Sequence, residues 1–494
     1  MRLNILFGGE AGQGPNILTQ ILGKTLVKLG YYVFYSRDYQ SLIRGGHNFN
    51  VLTFSNEPVY SNDSHMDILV ALDENTENIH KKDLKEKGVI LNGKHENMYF
   101  AGKLFKILGL EFNLLEKELE ELEKRFDENI KEAKKGYEIA DKSIELAKSL
   151  GNESFFINGN QGISEGAIKS GLDVYYAYPM TPATSVLGEL AEKQIEENFF
   201  VLELENEIAV INAGIGSAIT GAKTMVGTSG GGFDLMTEAL SLTGIAEVPL
   251  VIFLSQRPGP GTGVATYTSQ GDLNIARHAG HGEFPRLVLA PGDPKESEEL
   301  VSQAFYFSQK FKIPSIILSD KHLGESFYTL TEKPKITKSE KSTSLTRYNS
   351  YEKDKEGSAT EDEEIIKKNI EERLKKGLEI EKEAKKFEQY KVYGNKDSKN
   401  VVVGWGSTKG VILDAIKDLD CKFIQILYIE PFPENIKKEL ESKKNILIEN
   451  NSTAQLGSLI TEKTGISIEN KILRYDGRPF LADELRKEIE ERLE

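Results

Sequence analysis

Cysteine is nearly absent from this sequence: Cys421 is the single one in 494 residues. Disulfides, a thiolate zinc site and an iron–sulfur cluster held by this chain alone are thereby excluded, since a four-iron cluster takes about four thiolates. Any electron transfer must run through another subunit. Positive charge is also in deficit, with 62 Lys and Arg against 77 Asp and Glu and a formal net charge of -15. Phosphate contacts need clustered positive charge, so no nucleic-acid partner is expected. No apolar run approaches the roughly 18 residues of a membrane span, and the opening MRLNILFGGEAGQG has neither a basic segment nor a cleavage site. A cytoplasmic, soluble protein without membrane contact is expected.

What is present is strand and helix in regular alternation. A length prior of roughly 150 residues per domain gives about three domains. The apolar run Leu3 to Phe7 ends at Gly8-Gly9-Glu10-Ala11-Gly12-Gln13-Gly14, and Ile17, Leu18, Ile21, Leu22, Leu26 and Val27 then repeat at helical spacing. This opens an α/β domain over 1–151. Within it the stripe from Leu115 to Tyr137 predicts one helix from about Leu114 to Leu150. A second βα series, starting at Phe155, fills 152–330 and predicts a parallel sheet covered on both faces. Residues 331–398 are rich in Lys, Glu and Ser with a helical stretch near 361–390, and are expected to be a charged connector. Residues 399–494, opening on Val401 to Gly406, read as a third, smaller α/β domain. The fold class is therefore α/β, in three α/β domains.

Several turns in this series could carry chemistry. Tyr178-Pro179-Met180-Thr181-Pro182 contains two prolines two apart, which remove two donors and fix φ, so it must be a rigid loop presenting Thr181. Gln256-Arg257-Pro258-Gly259-Pro260-Gly261-Thr262-Gly263 sets one guanidinium in a Gly and Pro frame, suited to a carboxylate or phosphate. Thr228-Ser229-Gly230-Gly231-Gly232, after a strand and before a helix, could cradle an anion or could merely allow close packing. Glu203, Glu205 and Glu207 lie at a strand–helix junction on the carboxyl edge of the sheet, where α/β folds bind ligands; one of them is a candidate catalytic carboxylate and the others are solvated. The Gly9 to Gly14 turn suits a phosphate or a plain strand–helix turn equally, and Arg44-Gly45-Gly46-His47 is a basic turn that fits docking or no ligand. Four such loops within one series carry more than any alone, because the carboxyl ends of parallel strands converge.

These residues resemble the 2-oxoacid:ferredoxin oxidoreductases, which use thiamine diphosphate, over nearly the whole chain. The likeness is to the alpha subunit with its gamma domain fused at the N-terminus. The family's Tyr-Pro-Ile-Thr-Pro loop is met at Tyr178 to Pro182 with Met180 for Ile. Its Gln-Arg-Gly-Gly-Pro-Ser-Thr-Gly segment, followed by a Thr and Gln-x-Asp-Leu, is met at Gln256 to Gly263, Thr266 and Gln270 to Leu273. Pro258 and Gly261 replace a Gly and a Ser, removing a hydroxyl at 261. Its Thr-Ser-Gly-Pro-Gly loop is met at Thr228 to Gly232, with Gly231 for Pro. Tyr39 to His47 match the gamma domain, and Glu449-Asn450-Asn451 with Gln455-Leu456 match the third domain.

The resemblance implies a thiamine-diphosphate pyrimidine-binding-type sheet at 152–330 and a transketolase C-terminal-like domain at 399–494. It implies Glu207 as the catalytic carboxylate against N1′ of the aminopyrimidine, and Thr181, Arg257 and Thr266 as contacts to the 2-oxoacid. Tyr178, Pro179, Thr228, Ser229 and Gly230 would border the cofactor with Glu207. No Gly-Asp-Gly followed by Asn at thiamine-enzyme spacing occurs, so the magnesium ion, most of the diphosphate anchorage and the [4Fe-4S] cluster are expected in a beta subunit, with no metal ligand here. The implied activity is decarboxylation of 2-oxoglutarate or pyruvate with coenzyme A and ferredoxin, by a chain inactive alone. A transketolase-like thiamine enzyme and a non-catalytic assembly subunit are the alternatives.

Overall fold

The computed structural model describes residues 1–40, 46–122, 125–149, 151, 154–342, 349–441 and 443–494. Its chain contacts divide into two units: Met1–Ile157 with Ser326–Lys333 and Leu481–Lys487, and Asn158–Glu325 with Pro334–Phe480 and Glu488–Glu494. Arg44 and Gly45 of the basic turn lie outside the described residues, as do Ser41, Leu42 and Ile43.

The first unit is built on a mixed sheet in which Arg2–Glu10 is central. In spatial order its strands are Leu84–Leu91, Met66–Ala71, Arg2–Glu10, His47–Ser55, Tyr32–Tyr39, Phe327–Leu330 and Phe155–Asn158. Arg2–Glu10 runs parallel to Met66–Ala71 and antiparallel to His47–Ser55. Phe155 to Ile157, read as the first strand of the second series, thus edges the first sheet instead. Gly14, at φ 86°, turns the chain into the helix Pro15–Lys28, and Pro15 needs no partner for its missing N–H at that position.

The single helix expected over 114–150 is two helices, Phe112–Glu120 and Phe126–Ile139, followed by coil from Ala140. Arg125 at φ 52° stands between them. The second helix packs on Asn97–Ile107 through facing glycines: a Cβ on Gly102 would strike the Ala133 carbonyl, and one on Gly136 the Tyr99 carbonyl. The apolar stripe is continuous across both helices, so periodicity alone does not reveal the break.

The second unit holds two sheets. One has the order Tyr428–Glu430, Leu287–Leu289, Pro314–Asp320, Leu250–Gln256, Thr224–Thr228, Val174–Ala177, Phe200–Glu203. All neighbours are parallel except the Tyr428–Glu430 pair. Every residue of Leu250–Gln256 and Pro314–Asp320 is buried, as expected for central parallel strands covered on both faces. The other sheet has the order Tyr390–Gly394, Lys422–Ile426, Asn400–Trp405, Lys444–Glu449, Asn470–Leu473. One hydrophobic core spans both, joining Ile252, Leu254 and Ile316 to Val403, Trp405 and Ile424. Between them the helix Glu363–Ala384 is capped by Asp362 and mostly exposed, but its last turn buries Ile380 and Ala384.

Candidate active site

Strand register decides which loops meet. Ala177 pairs with Glu203 and with Gly227, Leu254 with Thr228, and Gln256 with Asp320. These parallel strands therefore end at one edge, and the loops 178–182, 204–206 and 257–272 and residue Ser229 all leave from it.

The Pro-rich loop is tied at two points. Asn160 Nδ2 donates to the Pro182 carbonyl at 3.1 Å and to Ser185 Oγ at 2.6 Å, and Arg257 Nη1 donates to the Thr181 carbonyl at 2.9 Å. Thr181 and Arg257, seventy-six positions apart, are thus brought together. Pro179 and Thr181 are half-buried, and Tyr178 is 39% exposed. Thr266 is half-buried in the loop that Arg257 begins, which folds back by a bond from Val264 N–H to the Pro258 carbonyl.

Burial separates the three glutamates. Glu203 and Glu205 are exposed, whereas Glu207 is 3% exposed and begins the helix Glu207–Ile219. Asn206 caps that helix by accepting from Ala209 N–H, which leaves the Glu207 carboxyl free of a capping duty. Its Oε1 is buried and has no hydrogen-bond partner among the described residues. The carboxyl lies against the first turn of the helix Gly230–Ala246: a Cβ on Gly232 would collide with Glu207 Oε1 and Thr228 Oγ1, so glycine is required there by the close approach. Thr228 and Ser229 are fully buried, and Ser229 Oγ is another unsatisfied atom. Glu207, Thr228, Ser229 and Gly230 therefore form one group around a helix N-terminus whose Ser229 cap position makes no side-chain capping bond.

Two neighbours escaped the sequence reading of the site. Asp272 donates its backbone N–H to Gln256 Oε1 at 3.0 Å, and its Oδ2 is buried without a partner among the described residues. Burial pushes its pKa up to about 6, Asp234 adding to the rise and Arg257 opposing it. Burial lowers the pKa of Arg257 against the pull of Asp272 and Glu207, though a guanidinium stays protonated. Arg257 Nε is also buried without a partner among the described residues. Asn160 is the second neighbour. The Gln-x-Asp-Leu pattern signals Asp272, but its burial depends on a fold contact that no local pattern contains.

The remaining motif residues support this edge from the third sheet. Gln270 Nε2 donates to the Trp405 carbonyl at 2.7 Å, its Oε1 accepts from Asn450 N–H at 2.9 Å, and its carbonyl accepts from Asn451 Nδ2 at 3.1 Å. Gln455 Nε2 donates to the Gly271 carbonyl at 2.7 Å. Glu449 is fully buried but satisfied, accepting from Trp405 Nε1, Asn451 Nδ2 and Leu456 N–H. These residues hold the 257–272 loop and do not line the unsatisfied group.

The arrangement fits thiamine diphosphate on this chain's side: an unsatisfied buried carboxylate beside a glycine-lined helix N-terminus, with a guanidinium next to it. The family model described as pyruvate flavodoxin/ferredoxin oxidoreductase, thiamine diphosphate-binding, matches residues 165–397, and that described as pyruvate ferredoxin/flavodoxin oxidoreductase matches residues 4–96. Fold and site thus define a thiamine-diphosphate-binding oxidoreductase subunit. The 2-oxoacid:ferredoxin oxidoreductase subunit alpha of Sulfolobus sp is 30% identical over 613 aligned positions, covering 99% of this chain and 96% of the relative. The chain belongs to the 2-oxoacid:ferredoxin oxidoreductase family. The 2-oxoglutarate synthase subunit KorA of Archaeoglobus fulgidus is 40% identical over 172 residues, 35% of this chain and 50% of that one. In fold, the chain matches a 2-oxoglutarate:ferredoxin oxidoreductase from Magnetococcus marinus, solved with 2-oxoglutarate, coenzyme A and succinyl-CoA, at a TM-score of 0.92 and 23% identity over 100% of both chains.

Proposed function

We propose that this chain supplies the aminopyrimidine-facing half of a thiamine diphosphate site that decarboxylates a 2-oxoacid, passing the acyl group to coenzyme A and the electrons to ferredoxin. The observation that carries this reading is Glu207 Oε1, buried and without a partner among the described residues, at the edge from which the strand-end loops leave. A carboxylate there costs stability unless a ligand supplies its partner, and a ring nitrogen does so. Bound thiamine diphosphate would supply a nucleophilic carbon and an electron sink for loss of carbon dioxide.

Each residue then has a role. Glu207 would hold a proton toward the aminopyrimidine N1′, in a site dry enough to strengthen that contact. Thr228, Ser229 and Gly230 would border the ring, and Tyr178 and Pro179 would close its side. Arg257 binds the carboxylate of the 2-oxoacid and orients it, with Thr181 and Thr266 beside the oxo group; it transfers no proton.

A beta subunit carrying magnesium, the diphosphate motif and the [4Fe-4S] cluster completes the reading. The single cysteine supports this: Cys421 is buried, with its thiol pushed up to about 11 by burial. Phe200, Leu202, Ile208 and Leu235, each 40–52% exposed on the edge strand and the two helices around Glu207, offer a surface for that subunit. No helix among the described residues is long and apolar enough to cross a membrane, and we place the complex in the cytoplasm. 2-Oxoglutarate is the first substrate to test and pyruvate the second. Viologen reduction by the chain with and without its co-expressed partner tests the whole: activity is expected only in the complex, and 2-oxoacid-dependent reduction by the chain alone refutes the shared site.

A further inference from the structure

Three charged groups converge at this edge with none of them paired by a hydrogen bond to another. Arg257 lies within electrostatic reach of both Asp272 and Glu207. Yet Arg257 Nε, Glu207 Oε1 and Asp272 Oδ2 are each buried and unsatisfied among the described residues. Asp272 is held close to two neighbours. Its backbone N–H is clamped to Gln256, the residue before Arg257, and its carboxylate is pressed on Gly230, where a Cβ would lie 2.5 Å from Oδ2 and 3.1 Å from Oδ1. Gln256 is itself fixed, buried and donating to the Ser319 carbonyl at 3.0 Å.

The charge count creates a problem for an anionic substrate. One guanidinium faces two carboxylates, and Asp234 adds a further negative charge toward Asp272 from the helix Gly230–Ala246. A 2-oxoacid carboxylate arriving at Arg257 would meet a net negative site. Resting on the reading of Arg257 as the substrate anchor, we propose that Asp272 is a positioning residue that takes up a proton as the 2-oxoacid binds. It thereby yields Arg257 to the substrate carboxylate. The proton comes from solvent, goes to the Asp272 carboxylate and returns when the carboxylate of the substrate leaves as carbon dioxide; no electron moves. Glu207 is not the acceptor of this proton, because in this reading it faces the cofactor ring.

Asp272 suits this role by its placement. It lies within electrostatic reach of Arg257 but makes no hydrogen bond to it among the described residues. Its pKa, raised to about 6, already sits near the range where a new negative neighbour would protonate it. Anion affinity is therefore highest when Asp272 is neutral and falls as pH rises above 6.

The test is calorimetric binding of oxamate, an unreactive 2-oxoacid mimic, to the thiamine-diphosphate-loaded complex in buffers of different ionisation enthalpy. Wild type is expected to take up a proton, up to one per site, with affinity falling by up to about tenfold per pH unit between pH 6 and 8. Asp272→Asn is expected to bind at pH 8 as tightly as wild type near pH 6, with no proton uptake. Zero proton uptake by wild type, or weakened binding in Asp272→Asn with the pH slope intact, overturns the proposal; the wild-type measurement needs no variant. Arg257→Met separates the two readings. If it abolishes oxamate binding while wild type takes up no proton, the role of Asp272 falls and that of Arg257 stands; if it leaves binding unchanged, both fall.

Discussion

Two buried polar regions of the second unit differ in one respect that separates architecture from chemistry. Where the two sheets of that unit meet, Glu296 accepts from Lys409, Lys391, Gln425 and the Gly292 N–H, and Lys409 also pairs with Asp293. Lys409 and Lys391 hold the Glu296 carboxyl below its ordinary range although burial alone would raise it. Every charge there is answered from within the chain. At the carboxyl edge of the parallel sheet the opposite holds: Glu207, Ser229, Arg257 and Asp272 each keep a buried atom without a partner among the described residues. A buried charge that is fully paired is held for the fold, and one left unpaired costs free energy that a ligand can return. In the proposed reading, the atoms that meet a ligand are among those left unsatisfied at this edge, not buried polar atoms in general.

Mutations should part the two regions. Glu207→Ala in the assembled complex should lower kcat by about 100- to 10,000-fold with little loss of folding, the range of a single proton-handling group, measured by viologen reduction. Lys409→Met should do the reverse. It removes one of the two cations on buried Glu296, which keeps Lys391, and the cation on half-buried Asp293, and should lower stability by about 1–3 kcal/mol in denaturant unfolding, leaving KM unchanged in whatever fraction folds. Arg257→Met should reduce kcat/KM by a factor of about 10–150, corresponding to loss of one charge-assisted contact of about 1.5–3 kcal/mol, chiefly through KM. Glu205→Gln should change neither rate nor stability by more than about 0.5 kcal/mol, since that carboxylate is solvated. A large effect at Glu205, or a kinetic effect at Lys409, would break the distinction.

Much of the fold could be read from the chain because several strands, among them Arg2–Glu10, Val174–Ala177, Leu287–Leu289 and Asn400–Trp405, end in a Gly- or Pro-bearing turn before a helix, where period and punctuation agree. The errors fell where tertiary contacts override the local pattern. The 114–150 stripe hides a break at Arg125, and Phe155 to Ile157 joins the first sheet although the strand–helix rhythm places it with the second series. At the site, the motif positions 181 and 257 do meet, through a backbone carbonyl that no side-chain pattern encodes. Choosing Glu207 over Glu203 and Glu205 from the residues themselves was beyond the sequence, because their difference is burial. Asp272 went unsingled for the same reason: its environment is made by Gly230 and Gln256, far away in the chain.

In the proposed reading Glu207 is central because its buried Oε1 has no partner among the described residues and the cofactor would supply one. The direct test is Glu207→Gln compared with wild type in the cofactor-free complex, with turnover then measured on the same samples after cofactor is restored. A melting temperature equal to or above that of wild type is predicted, since a buried unpaired charge is removed, together with loss of turnover. A melting temperature several degrees lower, or turnover retained, would contradict it.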